Sequence, residues 1–167
     1  AGFDKTYFLD FAKPHQKFSY AASLSTNYLD ESYKSKLQAS LKDYMGISVR
    51  EEDAVELLKP ISPMLPVCSL DPTLLLNKCD WDAIASERII NDPYAFCFFL
   101  GNSTRQMKIA KEYAKRHNLK LAVIPFLSGK YRAAEINYGD VVLKAASPQD
   151  FISLIKHCDV GFTDSFH

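Results

Sequence analysis

The 167-residue chain lacks several features that mark particular classes of protein. No apolar run approaches the roughly 18 residues needed to span a bilayer, and no stretch resembles a signal peptide. Lysine plus arginine and aspartate plus glutamate number 20 each, so net charge gives no general attraction to nucleic acid or to an anionic membrane. The composition therefore argues against a transmembrane segment and against a nucleic-acid partner.

Metal, redox and nucleotide motifs are also missing. The cysteines are widely spaced with no C-x-x-C, and the histidines have no zinc-ligand spacing, so we predict no metal site. Neither G-x-G-x-x-G nor a P-loop is present. Two cysteines, Cys97 and Cys158, sit within apolar patterns and are predicted to be buried free thiols, which favours a reducing, cytoplasmic setting.

The chain does contain enough apolar residues to form a core. It is 47% hydrophobic, with 11 phenylalanines and nine tyrosines. Strand-like and helix-like segments alternate, with no Asn-Gly hairpin signal. This order predicts an α/β fold of parallel strands joined by right-handed crossovers.

The first half has short candidate strands and two candidate helices. We predict strands at 6–11, 17–24, 47–49 and 67–70, and helices at 31–43 and 51–58. Asp30 is the expected cap of the first helix. A weaker helical piece around Trp81, within 74–91, is interpreted as the connection to the second half.

The second half has the clearest strand, at 93–100, which is apolar on both faces as a central parallel strand should be. A turn and a helix from 104 to 117 lead to a strand at 119–126, and we predict that these two strands are parallel neighbours. After a short strand at 141–143, Ser147 and Asp150 form a capping box. The closing helix is expected to bury one face, composed of Phe151, Leu154, Ile155 and Cys158.

Candidate ligand residues lie at strand ends, where parallel sheets bind ligands. Arg50 can hold a carboxylate or phosphate bidentately, or form a salt bridge with Glu51, Glu52 or Asp53. The turn at Gly101 and Asn102 is either an anion-binding turn or a plain βα connection. The strand Val160–Thr163 delivers Asp164, Ser165 and His167. A basic face on the 104–117 helix is interpreted as solvated.

Nine segments in order resemble the polysaccharide pyruvyl transferase family, over about residues 6–167. They are Y-F-L-D-F, S-Y-A-A-S, I-S-V-R-E-E-D, L-D-P-T-L-L-L, F-F-L-G-N, I-P-F, Y-G-D-V-V-L, S-P-Q-D-F-I-S-L-I and F-T-D-S-F-H. The resemblance implies a glycosyltransferase-B-like architecture of two Rossmann-like domains. Residues 1–76 would be the later part of the first domain, 77–91 the connection, and 92–167 the early part of the second. We therefore expect the chain to be a fragment of a larger protein.

The same resemblance implies an enzyme activity that serves exopolysaccharide biosynthesis in bacteria. A pyruvyl group would move from phosphoenolpyruvate, a donor substrate and not a cofactor, to a sugar of a glycan or lipid-linked acceptor, as a ketal. It implies that Arg50 contacts the anionic donor and that His167 is an acid or donor contact. Gly101, Asn102 and Ser165 are the other expected substrate contacts; many family members have arginine where this chain has Ser165.

Two other functions fit the same sequence. One is a glycosyltransferase of similar architecture that uses a nucleotide sugar, and the other is a non-catalytic α/β binding module. A protein that binds phosphoenolpyruvate but no nucleotide sugar would be a pyruvyl transferase and not a glycosyltransferase. A protein that binds neither would favour the non-catalytic module. Because a cleft enzyme needs both walls held in productive geometry, we expect the fragment alone to be inactive.

Overall fold

A computed structural model describes residues 3–100, 104–126 and 138–165. The chain divides into two compact units, Ala1–Leu75 (unit 1) and Leu76–His167 (unit 2). Each unit is built on a sheet of parallel strands with helices as connections, which confirms the predicted α/β class. The helices that the described residues form are all too short or too polar to cross a bilayer.

Unit 1 contains a three-stranded parallel sheet in the order β1-β2-β3. Its strands are β1 (Phe18–Ala22), β2 (Gly46–Val49) and β3 (Val67–Cys68), joined by α1 (Glu31–Leu41) and α2 (Glu52–Leu58). Helix α1 begins where predicted, because the Asp30 side chain accepts a hydrogen bond from the Tyr33 amide. These elements agree with the sequence pattern, but the strand predicted at 6–11 is wrong.

A 3₁₀ helix, Lys5–Phe8, occupies that position instead. The Asp4 carboxylate accepts a hydrogen bond from the Thr6 amide, and Leu9 has a left-handed backbone with φ of 53°. The ring of Phe8 stacks on that of Phe3, with centroids 4.7 Å apart. Local hydrogen bonding and this aromatic pair therefore outweigh the strand propensity of the aromatic run.

Both helices of unit 1 pack on the same face of its sheet. The core comprises buried residues of both helices, of β2 and of the adjoining loops: Leu29, Leu37, Leu41, Tyr44, Ile47, Val49, Ala54, Leu58 and Ile61. Phe18, Tyr20 and Val67, in contrast, are each more than half exposed. The burial in unit 1 is therefore one-sided.

Unit 2 contains a four-stranded parallel sheet in the order β6-β5-β4-β7. In its described residues the strands are β4 (Tyr94–Phe98), β5 (Lys120–Val123), β6 (Val141–Val142) and β7 (Val160–Thr163), and the helices are α3 (Lys78–Ile84), α4 (Thr104–Arg116) and α5 (Pro148–His157). Strands β4 and β5 pair in parallel, as predicted for 93–100 and 119–126. Numbered within the unit, the order is 3-2-1-4, which is the order of the first four strands of a Rossmann fold.

The two long helices of unit 2 cover opposite faces of this sheet. Helix α4 buries Met107, Ala110 and Ala114 against Ala95 and Cys97, and its basic side chains are exposed as expected. Helix α5 packs on the other face, where its buried residue Leu154 joins a core with Tyr94, Phe96 and Ala122. The unit is therefore doubly wound around β4.

The capping box of α5 is present, since the Ser147 hydroxyl accepts from the Asp150 amide and the Asp150 carboxylate accepts from the Ser147 amide. The predicted apolar face of this helix is only partly correct. Ile155 is 50% exposed, whereas Ser153 is 1% exposed because its hydroxyl donates to the Glu87 carbonyl. A buried polar side chain with a hydrogen-bond partner thus takes a place on this helix where the sequence pattern predicts an apolar one.

The segment interpreted as a connection packs within unit 2. The Ser86 hydroxyl donates to the Asp150 carboxylate at 2.8 Å, and Lys156 forms an ion pair with Asp82 at 3.1 Å. These contacts hold α3 and the residues after it against α5. The four cysteines are free thiols; Cys97 is buried, Cys158 is partly buried, and Cys68 and Cys79 are exposed.

Candidate functional site

Arg50 lies directly after β2, at the carboxyl edge of the unit 1 sheet. Its amide donates to the Ala22 carbonyl at 3.0 Å, which fixes the backbone beside β1. Its guanidinium forms an ion pair with the Asp71 carboxylate, and its Nε lies 4.0 Å from Oε1 of Glu51. The arginine side chain is 19% exposed, so part of it reaches the surface.

Asp71 is the partner that sequence reasoning missed. Its side chain is only 2% exposed, and it accepts hydrogen bonds from the amide and the hydroxyl of Thr73, at 2.9 and 2.7 Å. A carboxylate held in this way orients the guanidinium and offsets its charge. The available signal was the Asp-Pro-Thr turn after β3, a strand that pairs with β2.

The second candidate site lies at the carboxyl ends of β4 and β7. These strands are neighbours, and the helices that follow and precede them cover opposite faces, so a topological switch point lies between them. In open α/β sheets, ligands bind at the crevice outside such a point. Helix α4 begins at Thr104 beside this edge, and a helix N-terminus favours negative charge.

Asp164 joins the two strand ends. Its Oδ1 accepts a hydrogen bond of 2.7 Å from the amide of Leu100, which lies two residues after the end of β4. The amide of the next residue, Ser165, donates to the Thr163 hydroxyl at 2.9 Å. A carboxylate therefore already occupies the amide that precedes the predicted anion-binding turn.

The predicted site residues fall into three groups. Arg50 belongs to unit 1, and Ser165 belongs to unit 2, where it is partly buried beside Asp164 at the switch point. Gly101, Asn102 and His167 lie outside the described residues. Within the described ranges, no three His, Cys, Asp or Glu side chains come together as metal ligands do.

The buried thiol of unit 2 is unsuited to nucleophilic chemistry. Burial raises the pKa of Cys97 to about 12, so the thiol stays protonated at neutral pH. Burial likewise raises the pKa of Tyr94 to about 12, and its hydroxyl donates to the Leu154 carbonyl at 2.8 Å. Both groups are therefore assigned to the core.

Comparison with known families identifies the family of this chain. The model of the polysaccharide pyruvyl transferase family matches residues 2–167. Comparisons with curated proteins and with solved structures give no match. Because the match covers nearly every residue, and the family agrees with the resemblance in the ordered motifs, the chain belongs to the polysaccharide pyruvyl transferase family.

Proposed function

We propose that this chain serves the transfer of a pyruvyl group from phosphoenolpyruvate to two hydroxyls of a sugar in a cell-surface glycan. The observation that carries the proposal is the family match over residues 2–167. In the reaction, two C–O bonds form at the carbon that bears the phosphate ester, and the bond to phosphate breaks. One hydroxyl proton goes to the enol CH₂ group, which becomes CH₃, and the other leaves with inorganic phosphate.

In this proposal the donor anion is bound by the strand-end residues. Phosphoenolpyruvate carries a phosphate and a carboxylate, which arginine and helix N-termini bind well. Arg50 contacts one of these groups, and Asp71 keeps its guanidinium in a fixed orientation. Ser165 and the turn at Gly101 and Asn102 serve the second group. His167 donates a proton to the enol carbon and regains one from an acceptor hydroxyl, so the net transfer is from that hydroxyl to the CH₂ group.

We further propose that the catalytic form has the glycosyltransferase-B-like arrangement, with two Rossmann-like domains across a cleft. The Rossmann-type strand order of unit 2 supports the second domain. The parallel sheet of unit 1, with Arg50 at its carboxyl edge, supports the first.

The test is a transfer assay with the reading frame that contains residues 1–167. The protein is incubated with phosphoenolpyruvate and a galactose- or mannose-containing glycan, and the ketal methyl group and released phosphate are measured by NMR. Equal amounts of ketal and phosphate are expected. Sugar transfer from a nucleotide sugar, with no ketal formed, contradicts the proposal and supports a glycosyltransferase. The same assay on residues 1–167 alone tests the expected inactivity.

The roles of two residues are tested by substitution. Arg50→Ala is expected to raise the KM for phosphoenolpyruvate at least about tenfold, since a charged hydrogen bond is worth about 1.5–3 kcal/mol. His167→Ala is expected to lower kcat about 100-fold. Lys59→Ala is the matched control, because it removes an exposed cation of unit 1 that pairs with Glu56. Wild-type kinetics in both site variants would show that the assignment is wrong.

A further inference from the structure

Two adjoining depressions lie at the carboxyl edge of the unit 1 sheet. Both are formed by the loop after β1, together with the start of α2 in the first depression and the start of α1 in the second. The first has a volume of about 360 Å³ and is lined by Ser25, Thr26, Asn27, Glu51 and Asp53. The second has a volume of about 240 Å³ and is lined by Leu24, Thr26, Tyr28, Leu29, Asp30 and Tyr33. Thr26 is common to both, so they form one continuous surface, which we call the loop–α2 surface.

The chemistry of this surface does not suit an anion. None of the described residues that line it is basic, and the larger depression contains the carboxylates of Glu51 and Asp53. Carboxylates accept hydrogen bonds from hydroxyl groups, and an asparagine amide both donates and accepts. Within the described part of the chain, the side chains of Asn27 and Asp53 make no hydrogen bond or ion pair. These polar groups are therefore available to a neutral, hydroxyl-rich ligand.

The loop–α2 surface also includes an aromatic residue, Tyr28. Tyr28 is 69% exposed, and its ring borders the smaller depression. An exposed tyrosine combines an apolar face with a polar edge, which matches a pyranose ring with a C–H face and hydroxyl edges. Together, the carboxylate and amide groups can bind the hydroxyls of a sugar while the aromatic ring packs on its C–H face.

The loop that carries Tyr28 has hydrogen bonds within itself. The Ser25 amide donates to the Ser23 hydroxyl at 3.1 Å, and Ser25 has a left-handed φ of 51°. The Thr26 hydroxyl donates to the Tyr28 carbonyl at 2.9 Å. A loop fixed by its own hydrogen bonds loses less conformational entropy on binding, so it suits a recognition surface.

We propose that the loop–α2 surface binds a neutral sugar unit of a glycan. Asn27, Glu51 and Asp53 pair with its hydroxyls, and the ring of Tyr28 packs on its C–H face. The inference rests on the proposed function only in identifying the acceptor glycan as the natural source of that sugar.

The test is a binding titration of residues 1–167 followed by NMR. Methyl β-galactoside, methyl α-mannoside and methyl β-glucoside are added separately to ¹⁵N-labelled protein without phosphoenolpyruvate. At least one glycoside is expected to shift the amides of residues 25–28 and 51–53. Tyr28→Ala and Asp53→Ala are each expected to weaken binding at least about fivefold. Glu56→Ala is the matched control, because Glu56 is exposed on α2 but lines neither depression, and it should bind as the wild type does.

Two outcomes overturn the inference. One is the absence of amide shifts at these residues with all three glycosides. The other is shifts that appear with MgCl₂ or CaCl₂ alone and not with the glycosides, which would assign the carboxylates to a cation. Because the titration contains no donor, it is independent of pyruvyl transfer. Glycoside binding at this surface, with no ketal formed in the transfer assay, would refute the proposed function and leave this inference standing. Ketal formation without glycoside binding at this surface would refute this inference and leave the proposed function standing.

Discussion

At the scale of the residue, the Arg50–Asp71 pair dominates the strand-end chemistry of unit 1. Asp71 is almost fully buried, and truncating it leaves the guanidinium without that counter-charge. We expect Asp71→Ala to lower the free energy of unfolding by about 3 kcal/mol, since breaking a buried ion pair is costly. Urea unfolding followed by circular dichroism measures this change.

Glu56→Ala serves as the control in that experiment. It breaks an exposed i,i+3 pair with Lys59, which is expected to change stability by less than about 0.5 kcal/mol. Equal effects of the two substitutions would show that the Asp71 pair has no special structural weight.

The position of Arg50 could be predicted from sequence, but its partner could not. A short apolar run followed by arginine indicates a strand end, and this depends on neighbours in the chain. The ion pair depends on which strand lies beside β2 and in what register, with Ser48 opposite Val67. That information is non-local, so the predicted alternatives were limited to the adjacent acids Glu51, Glu52 and Asp53.

At the scale of the element, Gly139 allows the segment before β6 to approach β5 closely. A Cβ atom at this position would lie 2.7 Å from the Leu121 carbonyl oxygen and 2.7 Å from Cγ2 of Val123. We expect Gly139→Ala to destabilise the protein by about 2 kcal/mol, because a backbone atom cannot move aside cheaply. Thermal unfolding of the purified variant measures the loss.

The matched substitution is Gly161→Ala, in β7. A Cβ there meets no atom within 4 Å, and glycine within a strand is less favourable than alanine by about 0.5–1 kcal/mol. This variant is expected to be as stable as the wild type or slightly more so. A loss at Gly161 as large as that at Gly139 would contradict the packing argument.

The capping box of α5 gives unit 2 a stability that depends on pH. The pKa of Asp150 lies below its ordinary value of 3.8. The largest cause is the hydrogen bond from the Ser147 amide, and the hydroxyls of Ser86 and Ser147 lower the pKa further. A carboxyl with a lowered folded-state pKa stabilises the fold above its unfolded pKa, and the effect is lost as pH falls through the folded value. We expect Asp150→Asn to be less stable than the wild type at pH 7, with the difference shrinking below about pH 4. A difference that stays constant from pH 7 to pH 2 would contradict this linkage.

Sequence patterns predicted elements best where several local signals agreed. The α5 segment has a cap, a proline in its first turn and an apolar period, and its helix and strand were found as expected. The 6–11 segment had aromatic content alone, and the Asp4 cap and the Phe3–Phe8 stack decided its structure. The apolar period also failed at Ile155, which is half exposed, whereas Ser153 is buried and donates a hydrogen bond to the carbonyl of Glu87, a residue after α3.

At the scale of the whole molecule, the two units have separate hydrophobic cores. Leu37 and Leu154 are each 1% exposed, the first in the core of unit 1 and the second in that of unit 2. Truncating a buried leucine costs about 2–5 kcal/mol. We expect Leu37→Ala to speed hydrogen exchange most in β1–β3, and Leu154→Ala most in β4–β7, as measured by mass spectrometry. Ile155→Ala, next to Leu154 but half exposed, is the control and should change exchange little.

The burial of Cys97 in the central strand of unit 2 has a practical consequence. Its thiol is fully excluded from solvent, whereas the thiols of Cys68 and Cys79 are exposed. A thiol-specific reagent in native buffer should therefore modify the two exposed cysteines at once. It reaches Cys97 only when the sheet opens, because burial and a high pKa keep this thiol unreactive. The rate of its modification thus reports how often unit 2 opens, without any introduced label.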